Sequence, residues 1–162
     1  MSLHCNSVGI SELDVSRNTK LYSLECDDNN LSSLDLSNNN DLTLLSCDNN
    51  NLTELTLADQ NWLSLSCSNN LMTSLGSPEN PIKTSSLYCD GNRLENLYIT
   101  ASPRGGTSVY CDDNNLNNID LSSCPNLTWL DCDHNNLREL DIRNNHRLTH
   151  LYCDYNELDR IY

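Results

Sequence analysis

Leu21-Tyr22-Ser23-Leu24-Glu25-Cys26-Asp27-Asp28-Asn29-Asn30-Leu31 is the stretch on which the fold turns. Its Leu21, Leu24, Cys26, Asn29 and Leu31 recur in the same frame as Leu42, Leu45, Cys47, Asn50 and Leu52. They return as Trp62, Leu65, Cys67, Asn70 and Met72, and finally as Leu148, Leu151, Cys153, Asn156 and Leu158. Cysteines fall at 5, 26, 47, 67, 89, 111, 132 and 153, a stride of 20 to 22 residues. A fixed period of that length marks a solenoid of stacked coils. Asn stands three places after Cys at 29, 50, 70, 92, 114, 135 and 156, with Val8 in that place in the first coil. The chain therefore reads as eight coils of about 21 residues and as a single domain over 1–162.

Composition agrees. Leu and Asn supply 55 of the 162 residues, while Gly is 5, Pro 4 and Phe 0. That much Leu with so little Gly and Pro excludes a collagen-like or linker-like chain and argues against disorder. No apolar run approaches the roughly 20 residues that span a bilayer. The charge count, 9 Lys+Arg against 23 Asp+Glu, leaves a formal −14, which repels nucleic acid and anionic membrane surfaces. Basic proteins, cations and neutral ligands remain as partners.

Each coil carries two alternating segments. Ser23-Leu24-Glu25-Cys26-Asp27 has period two and reads as a short strand. Stacking the coils pairs these strands in one parallel sheet, about 35–40 Å across at ~4.8 Å per strand. The second segment, as in Leu34-Asp35-Leu36-Ser37 or Ile119-Asp120-Leu121-Ser122, closes the opposite wall. It is too short for a full helix, so short strands or 3₁₀ turns are expected there. Three back segments depart from the frame. Residues 57–61 are one residue short. Residues 76–81 and 101–106 carry one extra residue each, with Pro and Gly, and their turns are expected to bulge.

This frame resembles the leucine-rich repeat family over essentially the whole chain. Cys in the strand combined with Leu34-Asp35-Leu36-Ser37 and Asn39 behind it resembles the cysteine-ladder type. That type is found in proteins like internalin J of Gram-positive pathogens and in surface proteins of gut Bacteroidetes. The resemblance implies a leucine-rich repeat solenoid, α/β by family and mostly β here. It also implies a bacterial, extracellular or cell-surface setting and a binding role.

A Cys between outward polar residues points inward and packs as a small apolar group. Disulfides are the weaker reading, because neighbouring rungs set Cβ atoms about 4.8 Å apart where a bridge prefers roughly 3.8 Å. Metal is weaker too, since no Cys-x-x-Cys occurs. Cys124 lies off this ladder, before Pro125, and reads as an exposed or half-buried thiol and the best candidate for a reactive one. The asparagine ladder is expected to serve turn backbone of its own and adjacent coils.

The outward positions lie three before, one before and one after each Cys. Those 24 positions hold eight acids and no Lys or Arg. Asp27, Asp48, Asp90, Asp112, Asp133 and Asp154 form a column broken at Ser68. Tyr88, Tyr110, Trp129 and Tyr152 form an aromatic patch beside it, with Asp131 and His150. The candidate partner-binding set is Tyr88, Asp90, Tyr110, Asp112, Trp129, Asp131, Asp133, His150, Tyr152 and Asp154. Tyr and Trp are common interface anchors. The plainer readings stand beside this one: Asp caps turn amides, and Tyr forms strands wherever it sits.

No phosphate loop, nucleophile elbow or His-Glu-x-x-His occurs, so no catalytic residue, cofactor or metal site is assigned. His134 and His150 near Asp131, Asp133 and Asp154 could imitate an acid–base pair, with solvated surface His as the simpler account. Calcium on paired Asp is a further alternative, without Ca-loop spacing to support it. The expectation is a noncatalytic module recognising a protein or glycan through the concave sheet, or else a rigid spacer displaying other domains. The ends carry no polar caps, which suggests a piece of a longer protein and weak end-to-end self-association.

Overall fold

The computed structural model of the protein describes residues 1–103 and 105–162. They form fifteen strands and no helix. In chain order these are β1 Ser2–His4, β2 Ser23–Glu25, β3 Ser33–Leu36, β4 Leu44–Ser46, β5 Glu54–Leu57, β6 Asn61–Ser66, β7 Ser74–Leu75, β8 Ile82–Tyr88, β9 Asn96–Leu97, β10 Ile99–Ala101, β11 Thr107–Tyr110, β12 Leu127–Asp131, β13 Glu139–Leu140, β14 His150–Tyr152 and β15 Arg160–Ile161. One parallel sheet runs β1-β2-β4-β6-β8-β11-β12-β14, one strand per coil. Three two-stranded parallel ribbons, β3-β5, β7-β9 and β13-β15, line the other wall. This is the parallel solenoid of eight coils that the stride of the cysteines demands.

Register follows from chemistry. Leu24 pairs with Leu3 and Leu45, and Leu65 with Leu45 and Leu87, so like residues stack on like. A slip by one would turn every Leu outward. Leu21, Leu24, Cys26, Leu31 and Leu36 have no exposed surface, and Trp62 fills the place of Leu21 in its coil at 1%. Each fully buried Leu contributes about 1.5–3 kcal/mol.

Of the irregular back segments, residues 76–81 form a protruding turn as expected, closed by Ser77 N–H to Asn80 O and Asn80 N–H to Ser77 O at 3.1 Å each. The main sheet lengthens beside them. β6 and β8 run back to Asn61 and Ile82, Asn61 pairs with Lys83, and β10 adds to the start of β8. Against β12 the register shifts between Thr107 and Ser108, which leaves Thr128 of β12 without a partner in the pairing. Arg104, within the third of these segments, lies outside the described residues. Gly76, at φ +74°, sits where a Cβ would come within 2.7 Å of the Tyr98 carbonyl oxygen, so glycine there serves a close backbone approach.

Each coil leaves the sheet through the same turn. The residue two after Cys is left-handed in all eight: Ser7, Asp28, Asn49, Asn69, Asp113, His134 and Tyr155 at φ 50° to 56°, and Gly91 at 62°. Asn, Asp, His and Gly are favoured there, but Ser and Tyr are not, and the variety hid this column from sequence reading.

The Asn after that turn reaches inward. Asn50 Nδ2 donates to the carbonyls of Cys26, Cys47 and Asp48 at 3.0, 3.2 and 3.1 Å, and its Oδ1 accepts the Leu31 N–H at 3.0 Å. Asn29, Asn70, Asn92, Asn114, Asn135 and Asn156 each donate in the same way to the carbonyls of their own Cys and the Cys one coil back. A polar side chain thus replaces the backbone partners that the turn removes.

A second Asn row lies in the back turns, where the motif Asn39 shares its role with Asn145. Asn39 Nδ2 donates to Val15 O and Asn18 O at 3.0 Å each, and Asn145 Nδ2 to Leu121 O and Cys124 O at 3.1 and 2.7 Å. Cys124 occupies the same place in its own coil, with its N–H donating to Leu121 O at 3.0 Å. The expectation of an accessible, reactive Cys124 is therefore corrected. It has no exposed surface, and burial pushes its thiol up to about 11.

The ladder cysteines face inward as free thiols. Cys26, Cys47, Cys67, Cys89, Cys111 and Cys132 have no exposed surface, while Cys5 and Cys153, with a neighbouring coil on one side only, are half-buried. Several spend the S–H on the next coil: Cys47 Sγ donates to Ser66 O at 3.3 Å and Cys132 Sγ to Tyr152 O at 3.2 Å. Burial pushes Cys26 and Cys132 up to about 12.

Candidate functional site

Strand alternation carries the outward side chains of the sheet in columns. The column one before Cys reads His4, Glu25, Ser46, Ser66, Tyr88, Tyr110, Asp131, Tyr152 through the pairings of successive strands. The column three before Cys reads Ser2, Ser23, Leu44, Ser64, Ser86, Ser108, Trp129, His150. Sheet spacing, about 4.8 Å per rung, is also a ring-stacking distance.

The aromatic residues accordingly meet in one surface. Tyr88 and Tyr110 stack with centroids 4.8 Å apart and planes 7° off parallel. Trp129 bridges the columns, 5.9 Å from Tyr110, 5.4 Å from Tyr152 and 4.2 Å from His150. Tyr88 and Tyr152 are 37% and 42% exposed, and Trp129 Nε1 is buried without a hydrogen-bond partner among the described residues. Because neighbouring rings cover each other's faces, the patch presents edges and hydroxyls outward.

The Asp column does structural work along much of its length. Asp27 Oδ1 accepts the Asp48 N–H at 2.8 Å, Asp48 Oδ1 accepts Ser68 N–H at 2.7 Å, and Asp133 Oδ1 accepts Asp154 N–H at 2.6 Å. Asn6 starts the series on Asp27 N–H at 2.8 Å. Ser46 and Ser66 hydroxyls donate to Asp27 and Asp48 at 2.7 and 2.8 Å. Beside the aromatics the pattern changes, for Asp131 takes the Asp133 N–H at 3.3 Å. Burial first, then the charge of Asp131, pushes Asp112 up to about 6, and burial raises Asp131 as well.

The histidines form no acid–base pair here. His150 stacks on Trp129 and shares a 3.0 Å hydrogen bond with Thr149, and His134 stacks on Tyr155 at 4.2 Å. No group of three or more His, Cys, Asp or Glu able to hold a metal ion exists among the described residues.

Shallow hollows lie on both walls. A trough of about 320 Å³ on the concave face lies over Ser23, Leu44, Ser46, Ser64 and Ser66, between Glu25 and Tyr88. A larger one, about 590 Å³, is on the back, between the Pro78–Pro81 turn and Tyr98, Ile99 and Thr100. It arises where an irregular turn stands off the ribbon and gathers no charged cluster beyond Glu95 and Asp120.

No family model matches the sequence, and no curated protein matches it. Among solved structures, the functional domain of InlJ from Listeria monocytogenes, described as including a cysteine ladder, superposes with a TM-score of 0.65 at 29% identity. That match covers 97% of this chain and 40% of the other. The LRIM1/APL1C complex matches with a TM-score of 0.66 at 23% identity, over 99% of this chain and 36% of the other, and shows the fold alone. The chain thus spans well under half the length of either. The chain has the fold of a leucine-rich repeat solenoid, and its inward column of cysteines is similar to the cysteine ladder of InlJ. Solenoids of this class use their curved sheet as an extended binding surface. No helix among the described residues is long and apolar enough to cross a membrane.

Proposed function

We propose that the protein is a noncatalytic recognition module that binds a partner protein through the C-terminal half of its concave sheet. The observation that carries this is the continuous ring surface Tyr88–Tyr110–Trp129–Tyr152 with His150, flanked by Asp90, Asp112, Asp131, Asp133 and Asp154. Rigid amphipathic rings lose little entropy on binding, and the absence of Lys and Arg from the 24 outward positions flanking the ladder cysteines gives that face one sign of charge. Ring faces stacked on one another leave little flat area for a sugar, which favours protein over glycan. A surface or secreted setting fits the likeness to InlJ and belongs to this proposal.

The test is capture of partners by the wild-type chain and by the double variant Tyr110→Ala/Trp129→Ala, with circular dichroism and melting as folding controls. Loss of a captured partner with folding retained supports the reading. Equal capture by both places the surface elsewhere, and no capture by either favours a spacer.

A further inference from the structure

The trough on the N-terminal side of Tyr88 differs in chemistry from the aromatic patch. Its floor is Ser46, Ser64 and Ser66, its side Leu44, and its ends the Tyr88 ring and Glu25. One face of Tyr88 is covered by Tyr110, while the other looks onto the rung of Ser66, whose side chain is too short to cover it. It is the free end of the ring stack.

Hydrogen-bond polarity then decides what fits. The Ser46 Oγ proton is committed to Asp27 at 2.7 Å and the Ser66 Oγ proton to Asp48 at 2.8 Å. With the donors used, these hydroxyls offer only lone pairs to an incoming group. Glu25 also only accepts, with Oε2 held by His4 Nδ1 at 2.9 Å and Oε1 left over. An aromatic face is the negative pole of the ring quadrupole. The Ser46 and Ser66 floor, the far end and the near wall are thus electron-rich, and none of the outward positions flanking the ladder cysteines is Lys or Arg, Lys83 at the start of β8 being paired with Asp59. The complement is a flat cation rich in N–H donors.

We propose that this trough is a subsite for an arginine side chain of the partner protein, with the guanidinium flat on the free face of Tyr88 over Ser66 and the methylene stem along Leu44. Glu25, three rungs or about 14 Å from Tyr88, draws the cation in and faces the partner's chain beyond the stem. Guanidinium stacks on aromatic rings and fans donors in its own plane, while ammonium does neither. The subsite rests on the concave face being the recognition surface.

The test is a titration of isotope-labelled wild-type protein with N-acetyl-argininamide, followed by amide NMR shifts, with N-acetyl-citrullinamide as the neutral isostere and N-acetyl-lysinamide as the ammonium. The arginine probe is expected to shift Leu44, Ser64, Ser66 and Tyr88 saturably, the lysine probe at least threefold more weakly, and the citrulline probe not at all. Tyr88→Ala should weaken binding fivefold or more, Glu25→Gln about twofold, and His4→Ala should leave it equal or tighter. Tyr88→Leu keeps bulk without the ring and should behave as Tyr88→Ala. Equal shifts from citrulline, shifts spread evenly over the acidic surface, or indifference to both Tyr88 variants would overturn the subsite. Because Tyr110 and Trp129 lie outside the trough, their double variant still reports on the wider face: partner capture lost there while arginine misses the trough would sink the subsite alone.

Discussion

Asn50 ties its coil to the one before it, donating through Nδ2 to the Cys26 carbonyl at 3.0 Å. The contact crosses a coil boundary from a buried position, so it couples the stack as well as the turn. Asn50→Ala should lower stability by about 1–3 kcal/mol, because several buried backbone groups lose their partner at once. Asn156→Ala, in a half-buried last coil, should cost less. Urea unfolding of the two variants checks the order, and an equal or reversed cost would refute the coupling.

The thiols offer a direct probe of the interior. In the native protein a maleimide should modify half-buried Cys5 and Cys153 first, slowed because burial raises their thiols too, and leave Cys26, Cys47, Cys67, Cys89, Cys111, Cys124 and Cys132 untouched until unfolding. Thiolate is the reactive form, and burial suppresses it at Cys26 and Cys124, pushed up to about 12 and about 11. Mass mapping after brief labelling reads this; early modification of Cys124 would contradict its place in the back row.

Gly91 holds the left-handed turn in the fifth coil, and a Cβ there would collide with Asn69 Oδ1. Gly91→Ala should destabilise by about 1–2 kcal/mol from the backbone alone, with a smaller addition because the Asn69 side-chain tip must turn aside. Asn69→Gly in the same chain should recover the collision part. Thermal melts of the single and double variants measure it, and no recovery would mean that the turn relaxes otherwise.

Asp112 should make the protein less stable as pH rises. Its folded-state pKa of about 6 lies above the ordinary 3.8, so the folded chain binds this proton more tightly than the unfolded one. Stability from this group is therefore full below about 3.8, falls between there and about 6, and stays lost above. Asp141 acts oppositely: hydrogen bonds from Arg143 hold it at about 2, so its contribution is present above 3.8 and lost toward pH 2. Asp112→Asn should raise the urea midpoint at pH 7 and leave it near wild type at pH 4. The same gain at both values would show that the carboxyl is not strained in the fold.

The repeat itself was legible in the order of residues, because a coil buries the same few places every turn. Cys26, Cys47 and their successors, with Asn29, Asn50 and theirs, named the interior, the sheet and the number of coils. The columns of Tyr88, Tyr110 and Asp131 also followed, since strand alternation and a constant stride leave no freedom in which residues share a face. What remained hidden depended on distances between coils. The residues with positive φ from Ser7 to Tyr155 share a conformation without sharing a side chain. Cys124 became a buried member of the Asn39 row only once its turn was overlaid on its neighbours. The direction of each serine proton, toward Asp27 and Asp48 and away from the trough, was set by a carboxylate about 20 residues earlier in the chain. Periodicity specifies which residues meet, whereas hydrogen-bond polarity and ring exposure arise only when coils lie at van der Waals contact, and those two properties define the candidate site.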